Sequence, residues 1–282
     1  MTQHHAGAPT PPRTLTIAGS DSGGGAGLQA DLRTFLGCGV HGMTAITAIT
    51  VQNSLGVTGI VEIAPEVVAA QIEAVATDIG VQAAKTGMLA NAEIITAIGK
   101  ACDQVGIGRD GRTPFVVDPV AASMHGDPLL RDNALEAFKR ELFPRATLVT
   151  PNLDEVRLLT GLDVKHRTEL RDAAVAMHAF GPQWTLIKSG HLSSDPQCVD
   201  LLYDGKTFLE LPGPRYDTVH THGGGDTLAS AITSALAKGS TVVEAVQFGK
   251  RYVREAVRQS YPLGGGVGPV SGLWRVRDID EV

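Results

Sequence analysis

Apolar positions along this chain follow two rhythms in turn, short β-branched runs and longer stretches at helical spacing, and their alternation predicts an α/β fold with a mostly parallel sheet flanked by helices. Leu15-Thr16-Ile17-Ala18 reads as a first strand. It runs into Gly19-Ser20-Asp21-Ser22-Gly23-Gly24-Gly25-Ala26-Gly27, after which Leu28, Leu32 and Phe35 recur at helical spacing. The run Thr44 to Val51 and the alternating Val57 to Ile63, separated by Asn53-Ser54-Leu55-Gly56, predict two strands joined by a turn. Pro65 suits the first turn of a helix reaching about Ile79, with Val67, Val68, Ile72 and Val75 on one face.

Strand then helix repeats from there: Val81 to Lys85, then Asn91 to Val105; Phe115 to Asp118, then Leu129 to Leu142; Ala146 to Thr150, then Leu153 to Thr160. Trp184 to Lys188 reads as another buried strand, and Val199 to Tyr203 with Thr207 to Leu211 as a hairpin turning at Asp204-Gly205. Two last helices are expected over Gly225 to Ala237 and Val242 to Arg258.

Composition narrows this picture. The 282 residues, 43% of them hydrophobic, suffice for one large core and give rather little for two. A single domain over residues 13–282 is therefore expected, behind a polar, Pro-rich leader, residues 1–12, that reads as disordered and lacks the apolar region of a signal peptide. A formal charge of −6 supplies no basic field for a nucleic acid. No apolar run reaches the roughly 18 residues that span a bilayer. Cys38, Cys102 and Cys198 lie far apart without a C-x-x-C pair, which points to reduced thiols and, with the rest, to the cytoplasm.

In open parallel sheets a ligand lies outside the carboxyl ends of the strands. The polar motifs of this chain sit there: Gly19-Ser20-Asp21, Lys85-Thr86-Gly87-Met88, Asp118-Pro119-Val120, Thr150-Pro151-Asn152 and Lys188-Ser189-Gly190-His191. The most informative segment is Thr221-His222-Gly223-Gly224-Gly225-Asp226-Thr227, which leads straight into an apolar helix. A glycine turn at a helix start offers backbone N–H groups and a positive dipole end to phosphate oxygens. Asp226 beside it is placed to accept a proton from an attacking hydroxyl, or is simply a first-turn acid of the kind helix starts favour. Asn152 and Glu155 suit Mg²⁺ directly or through water, or else form a capping box. The Gly23 to Gly27 loop either cradles a ligand or is a plain tight turn. No Walker A sequence and no Rossmann glycine register occurs, and the spacing alone gives Lys85 and Lys188 no role beyond that of solvated lysines.

Together, Thr16 to Asp31, Val51-Gln52-Asn53, Lys85 to Leu89, Gly126-Asp127-Pro128-Leu129-Leu130, Thr150 to Glu155 and Gly190-His191 resemble, in order, the blocks of the hydroxymethylpyrimidine/phosphomethylpyrimidine kinases of thiamine biosynthesis, within the ribokinase-like superfamily. The resemblance runs from Leu15 to about Pro269. It implies a three-layer α/β/α sandwich, usually a homodimer, that performs two successive ATP-dependent phosphorylations. It further implies a pyrimidine pocket drawn from Gly19, Asp21, Ala26, Asp31, Gln52, Met88 and Val120, and an anion hole of Gly223, Gly224 and Gly225. Asn152, Glu155 and Lys188 would then serve Mg²⁺-ATP, with Asp118 and Glu155 as carboxylates toward the metal.

Many of these pyrimidine kinases carry Gly-Thr-Gly-Cys where this chain has Gly223-Gly224-Gly225-Asp226, and in that respect it is similar to sugar and pyridoxal kinases. Pyridoxal kinase is the alternative activity. The alternative from another class is a non-catalytic protein that binds a vitamin precursor, although such a sensor has no use for a base.

Overall fold

The computed structural model describes residues 9–108, 112–121, 133–190, 192 and 197–276. In chain order the elements are β1 (Arg13–Ala18), α1 (Gly27–Gly37), β2 (His41–Ile46), β3 (Ala48–Asn53), β4 (Gly56–Glu62), α2 (Pro65–Asp78), β5 (Ala83–Thr86), α3 (Ala92–Val105) and β6 (Phe115–Val117). They continue with α4 (Ala134–Ala137), β7 (Leu148–Val149), α5 (Leu153–Thr160), α6 (Leu170–His178), β8 (Trp184–Ile187), β9 (Asp200–Tyr203), β10 (Phe208–Leu211), α7 (Gly224–Ala237) and α8 (Val242–Arg258).

An eight-stranded sheet in the order β10-β9-β8-β7-β6-β5-β1-β2 forms the centre. The six strands from β8 to β2 along that order are parallel, while β9 and β10 close one edge antiparallel. Side chains alternate across it. Leu15, Ile17, Ala84, Phe115, Val117, Val149 and Ile187 share a core with α2, α3, α5 and α6. Ala83, Val116, Leu148, Leu186 and Leu202 share a second core with α7 and α8. The result is the expected α/β/α sandwich. Chain order reverses between β1 and β5, so the crevice of the sheet opens there.

The structure corrects two expectations and adds one helix. The run Thr44 to Val51 is not one strand: it breaks at Thr47, whose N–H bonds Ala18 O and whose hydroxyl bonds Met88 O, and the chain passes from the main sheet into a separate β3–β4 ribbon. The helix expected to Leu142 is, from Ala134 on, a short α4, a wide π turn over Phe138–Leu142 and a 3₁₀ turn over Phe143–Arg145 that seat Phe138, Leu142 and Phe143 in the core. Its start and the Gly126 to Leu130 block lie outside the described residues, as do His191 and residues 1–8 of the leader. Helix α6 was not anticipated, although its buried Leu170, Ala173, Ala174 and Met177 follow helical spacing.

Helix α7 lies directly on the sheet and α8 packs against it, so closely at Gly249 that an added Cβ would meet Ile232 Cγ1 at 2.5 Å. Gly249→Val is expected to cost about 1–3 kcal/mol from overpacking, read as a lowered urea midpoint at unchanged slope.

Candidate active site

The site begins where β1 and β5 end. Gly19 N–H bonds Met88 O at 3.0 Å and Gly87 N–H bonds Ile17 O at 3.0 Å, so the two strand-end loops are stitched to each other. Ser20 adds Ala48 O and Thr50, and Ser22 Oγ both donates to Gln52 O at 2.6 Å and accepts from Gln52 N at 2.8 Å. These bonds bring Gly19, Gln52 and Met88 to one rim. Gly19 allows it sterically, since a Cβ there would sit 2.9 Å from Met88 Sδ.

The early glycine loop is shaped by Asp21. One carboxylate oxygen accepts from Gly23 N at 2.8 Å, and the other accepts from Gly25 N at 2.9 Å, Ala26 N at 2.8 Å and His222 Nε2 at 2.9 Å. Burial pushes its pKa up, but the bond from His222 and those from Ala26 and Gly23 outweigh burial and hold it below the ordinary carboxylate value. Asp21, expected against the substrate, is therefore the internal frame of the loop, and the N–H groups it consumes are not offered to a ligand. His222, which the sequence left without a role, ties this loop to the glycine turn ahead of α7. Gly223 packs onto it with φ +74°, where an added Cβ would fall 2.0 Å from Gly25 O.

At that turn Gly224 N donates to Thr221 O at 3.1 Å and Thr227 N to Gly223 O at 2.9 Å. The N–H groups of Gly223, Gly225 and Asp226 have no acceptor among the described residues, so the start of α7 retains an anion seat. The Asp226 side chain is 15% exposed. Its Oδ2 accepts from Gly27 N at 3.1 Å and its Oδ1 lies 3.5 Å from Lys85 Nζ. Gly87 lies against both, for its missing Cβ would be 3.6 Å from each.

Lys85 is the residue that sequence reasoning passed over. It is fully buried at the end of β5, on the face turned to α1 and α7, with Thr16 opposite it in register. Its ammonium lies 2.8 Å from Asp31 Oδ1, which also accepts from Ser230 Oγ at 2.6 Å, while Asp31 Oδ2 accepts from Thr16 Oγ1 at 2.6 Å. Burial alone would lower the lysine pKa, yet the carboxylates of Asp31, Asp226 and Asp118 raise it, so the group stays charged. Burial raises Asp31 to about 6 against the pull of Lys85. Asp31 was expected in the pyrimidine pocket; with no exposed surface and both oxygens engaged, it lies beneath the site.

A second cation faces the turn from the other side. Lys188 Nζ lies 2.8 Å from Asp118 Oδ1 and 3.9 Å from Glu155 Oε2, and Thr150 Oγ1 donates to Asp118 Oδ1 at 3.0 Å. Asn152 and Glu155 do form the capping box of α5, with Asn152 Oδ1 accepting from Glu155 N and Glu155 Oε2 from Asn152 N. Glu155 nevertheless belongs to the ionic group: burial, offset by Lys188 and reinforced by Asp118, raises it to about 7. Asp118 Oδ2 accepts no hydrogen bond from the described residues and faces Gly225, whose missing Cβ would lie 3.5 Å away. Val120 follows as a half-buried residue on the same strand end.

Fold and site together define a small-molecule kinase of the ribokinase-like class: a parallel sheet with its crevice at the switch point, and a carboxylate at a glycine-rich helix start between two lysines. Residues 21–271 match the family described as phosphomethylpyrimidine kinase, and the chain belongs to that family. The hydroxymethylpyrimidine/phosphomethylpyrimidine kinase of Mycobacterium leprae (strain TN) is 57% identical over 270 residues, covering 94% of this chain and 95% of the relative. Among solved structures, an ADP complex of Bacillus subtilis pyridoxal kinase superimposes with a TM-score of 0.85 at 37% identity, covering 94% of this chain and 98% of that one. Phosphomethylpyrimidine kinase from Clostridium difficile 630 gives 0.76 at 39% identity over 87% of this chain and 99% of that one.

The state of Glu155 has a measurable consequence. A carboxylate raised from its ordinary 4.5 to about 7 in the folded chain binds more protons there than when unfolded, so its contribution to stability is present at low pH and is lost as pH rises from about 4.5 to about 7. Glu155→Gln, which keeps an oxygen for the Asn152 cap, should flatten that decline in denaturant midpoints taken across the window; an unchanged slope would place the titration elsewhere.

Proposed function

We propose that this chain transfers the γ-phosphoryl group of ATP to the hydroxymethyl oxygen of 4-amino-5-hydroxymethyl-2-methylpyrimidine, and then to the monophosphate so formed, yielding the diphosphate for thiamine biosynthesis in the cytoplasm. The observation that carries this reading is the Asp226 carboxylate, held between Gly27 N–H and Lys85 at the glycine turn of α7 and next to the Gly87–Met88 rim. The 57% identity to a kinase of that name supports the pyrimidine. Free cysteines at 38, 102 and 198 suit a reducing compartment.

In the first transfer Asp226 accepts the hydroxyl proton as the oxygen attacks the γ-phosphorus. The bond from phosphorus to the β–γ bridging oxygen breaks, ADP leaves with that electron pair, and the N–H groups of Gly223, Gly225 and Asp226 face charge on the moving phosphoryl oxygens. Gly19, Ala26, Gln52, Met88 and Val120 form the pocket in this reading, with Gln52 as its hydrogen-bonding member. Lys188 and Glu155 face the phosphates, and Asn152 contributes by holding Glu155 in place.

Magnesium fits as a nucleotide-borne ion. No group of three or more metal-binding side chains occurs among the described residues, whereas Asp118 Oδ2 and Glu155 offer the few carboxylate oxygens that such an ion needs. Bound there, it would neutralise charge on the β- and γ-phosphates.

The second transfer starts from a phosphate oxygen already ionised near neutral pH, which leaves a base less to do. Asp226→Asn is accordingly expected to lower kcat for the alcohol by about 10²–10⁴ and for the monophosphate by clearly less. Separate rates with each acceptor check this, and equal losses refute the division of labour. Because pyridoxal kinases share the fold, pyridoxal runs beside the pyrimidine in the same assay, and preferred turnover of pyridoxal would overturn the substrate.

We further infer a homodimer joined through the β3–β4 ribbon. Ile49 and Val61 are register partners and, with Val51, make an apolar face that is 44%, 63% and 59% exposed at those residues. Val61→Lys should shift the protein from dimer to monomer in sedimentation velocity with an unchanged circular dichroism spectrum; a persisting dimer places the interface elsewhere.

A further inference from the structure

Lys85 cannot meet a substrate, because none of it is exposed. A buried charge is costly unless it is paired, and one partner would suffice; here a single ammonium sits among carboxylates from three elements, Asp31 on α1 at 2.8 Å, Asp226 on α7 at 3.5 Å, and Asp118 at the end of β6. The arrangement is asymmetric. Asp31 is saturated by Lys85, Thr16 and Ser230, so it anchors the ammonium from below. Asp226 takes the longer contact, leans on Gly27 N–H with its other oxygen, and keeps its exposed edge toward the crevice. Asp118 is paired with Lys188 at 2.8 Å, so around Lys85 one positive and two negative charges remain, and the excess negative charge lies on Asp226, the member that faces the acceptor.

Resting on the reading of Asp226 as the base, we propose that Lys85 is a positioning residue for the transfer: its ammonium, fixed by Asp31, orients the Asp226 carboxylate and sets how readily that carboxylate takes the acceptor's proton. The buried pair Asp31–Lys85 is thus an extension of the active site into the core. A lysine that only neutralised Asp31 would leave the proton chemistry at Asp226 indifferent to either residue.

Isosteric substitutions on the two sides of the pair separate these roles. In Lys85→Met, Asp31 and Asp226 share a buried space without a cation, and one of them takes up a proton. The acidic limb of kcat against pH should move up by about one unit or more, with kcat at pH 7 lowered by about 30-fold or more. In Asp31→Asn the ammonium loses its 2.8 Å carboxylate partner and turns to Asp226, and the same limb should move the other way, with KM for the alcohol within about threefold of wild type. Opposite displacements support the proposal. Variants that lose thermal stability but keep the wild-type limb overturn it, because that is the signature of a structural pair. Should Lys85→Met not fold, Asp31→Asn, which retains a neutral ion pair in the core, decides alone: an unmoved limb, or a raised KM as its main effect, refutes the proposal. Failure of the underlying reading is distinct, since wild-type enzyme would then phosphorylate no alcohol or would tolerate Asp226→Asn.

Discussion

A lysine ammonium sealed from water between the sheet and the α1–α7 layer is the constraint around which this structure is arranged. Thr16 and Lys85 are register partners on β1 and β5, and both point to the face where α1 brings Asp31 and α7 brings Ser230 and Asp226. Neighbouring positions in the same layer are apolar, among them Ala83, Leu228 and Ile232. Such a cell earns little net stability over a hydrophobic one, but it is intolerant of misplacement: shifting either helix strands a charge in a low-dielectric interior. The registry of α1 and α7 against the sheet is what places a carboxylate at the crevice.

Close backbone approach is the second condition. The loop after β1 and the turn before α7 meet at Gly25, His222 and Gly223, where side chains on the glycines would collide with the opposite loop. Asp21 consumes the N–H groups of the first loop, so the loop is rigid and its anion-binding capacity is spent internally. The turn at α7 has the opposite economy, with N–H groups left over. Two glycine runs that look alike in sequence therefore differ, one being internal framework and the other leaving N–H groups open, which the proposed reading assigns to phosphate oxygens.

The strand-loop-helix order, the sheet's parallel character and the glycine turn with its acid were legible because each is local: periodicity, a φ only glycine adopts cheaply, and a helix start coincide within a few residues. The role of Lys85 was not, because it depends on partners 54 and 141 positions away that only the fold brings together. A lysine inside the buried run Ala83-Ala84-Lys85-Thr86 was the available signal, since a charge in such a strand must have a partner. Asp21 and Asp31 misled for the same reason: a carboxylate beside a ligand loop and one beneath it have the same sequence context. The break at Thr47 was hidden because its hydrogen bonds go to Ala18 at the end of β1 and to Met88 in the loop after β5, both distant in sequence.

The fold is shared with pyridoxal kinases, so it does not choose the acceptor, and the base does not choose it either. What the carboxylate at position 226 does require is compensation. It stands in a half-enclosed site that already contains Asp31 on one side and Asp118 with Glu155 on the other, and a further negative charge there is repelled unless cations are interleaved. Lys85 and Lys188 are those cations, one facing the base from the core and the other facing the phosphate side. Their placement differs by depth: Lys85, out of reach of any ligand, is the one proposed to tune proton transfer, while Lys188, beside Gly225 and paired with Asp118, is the one that in the proposed reading faces the phosphates. In the proposed reading, the discrimination between a pyrimidine and a pyridine alcohol falls to the rim where Gln52 and Met88 lie, on strand-end loops stitched together by the Gly19–Met88 and Ser22–Gln52 bonds.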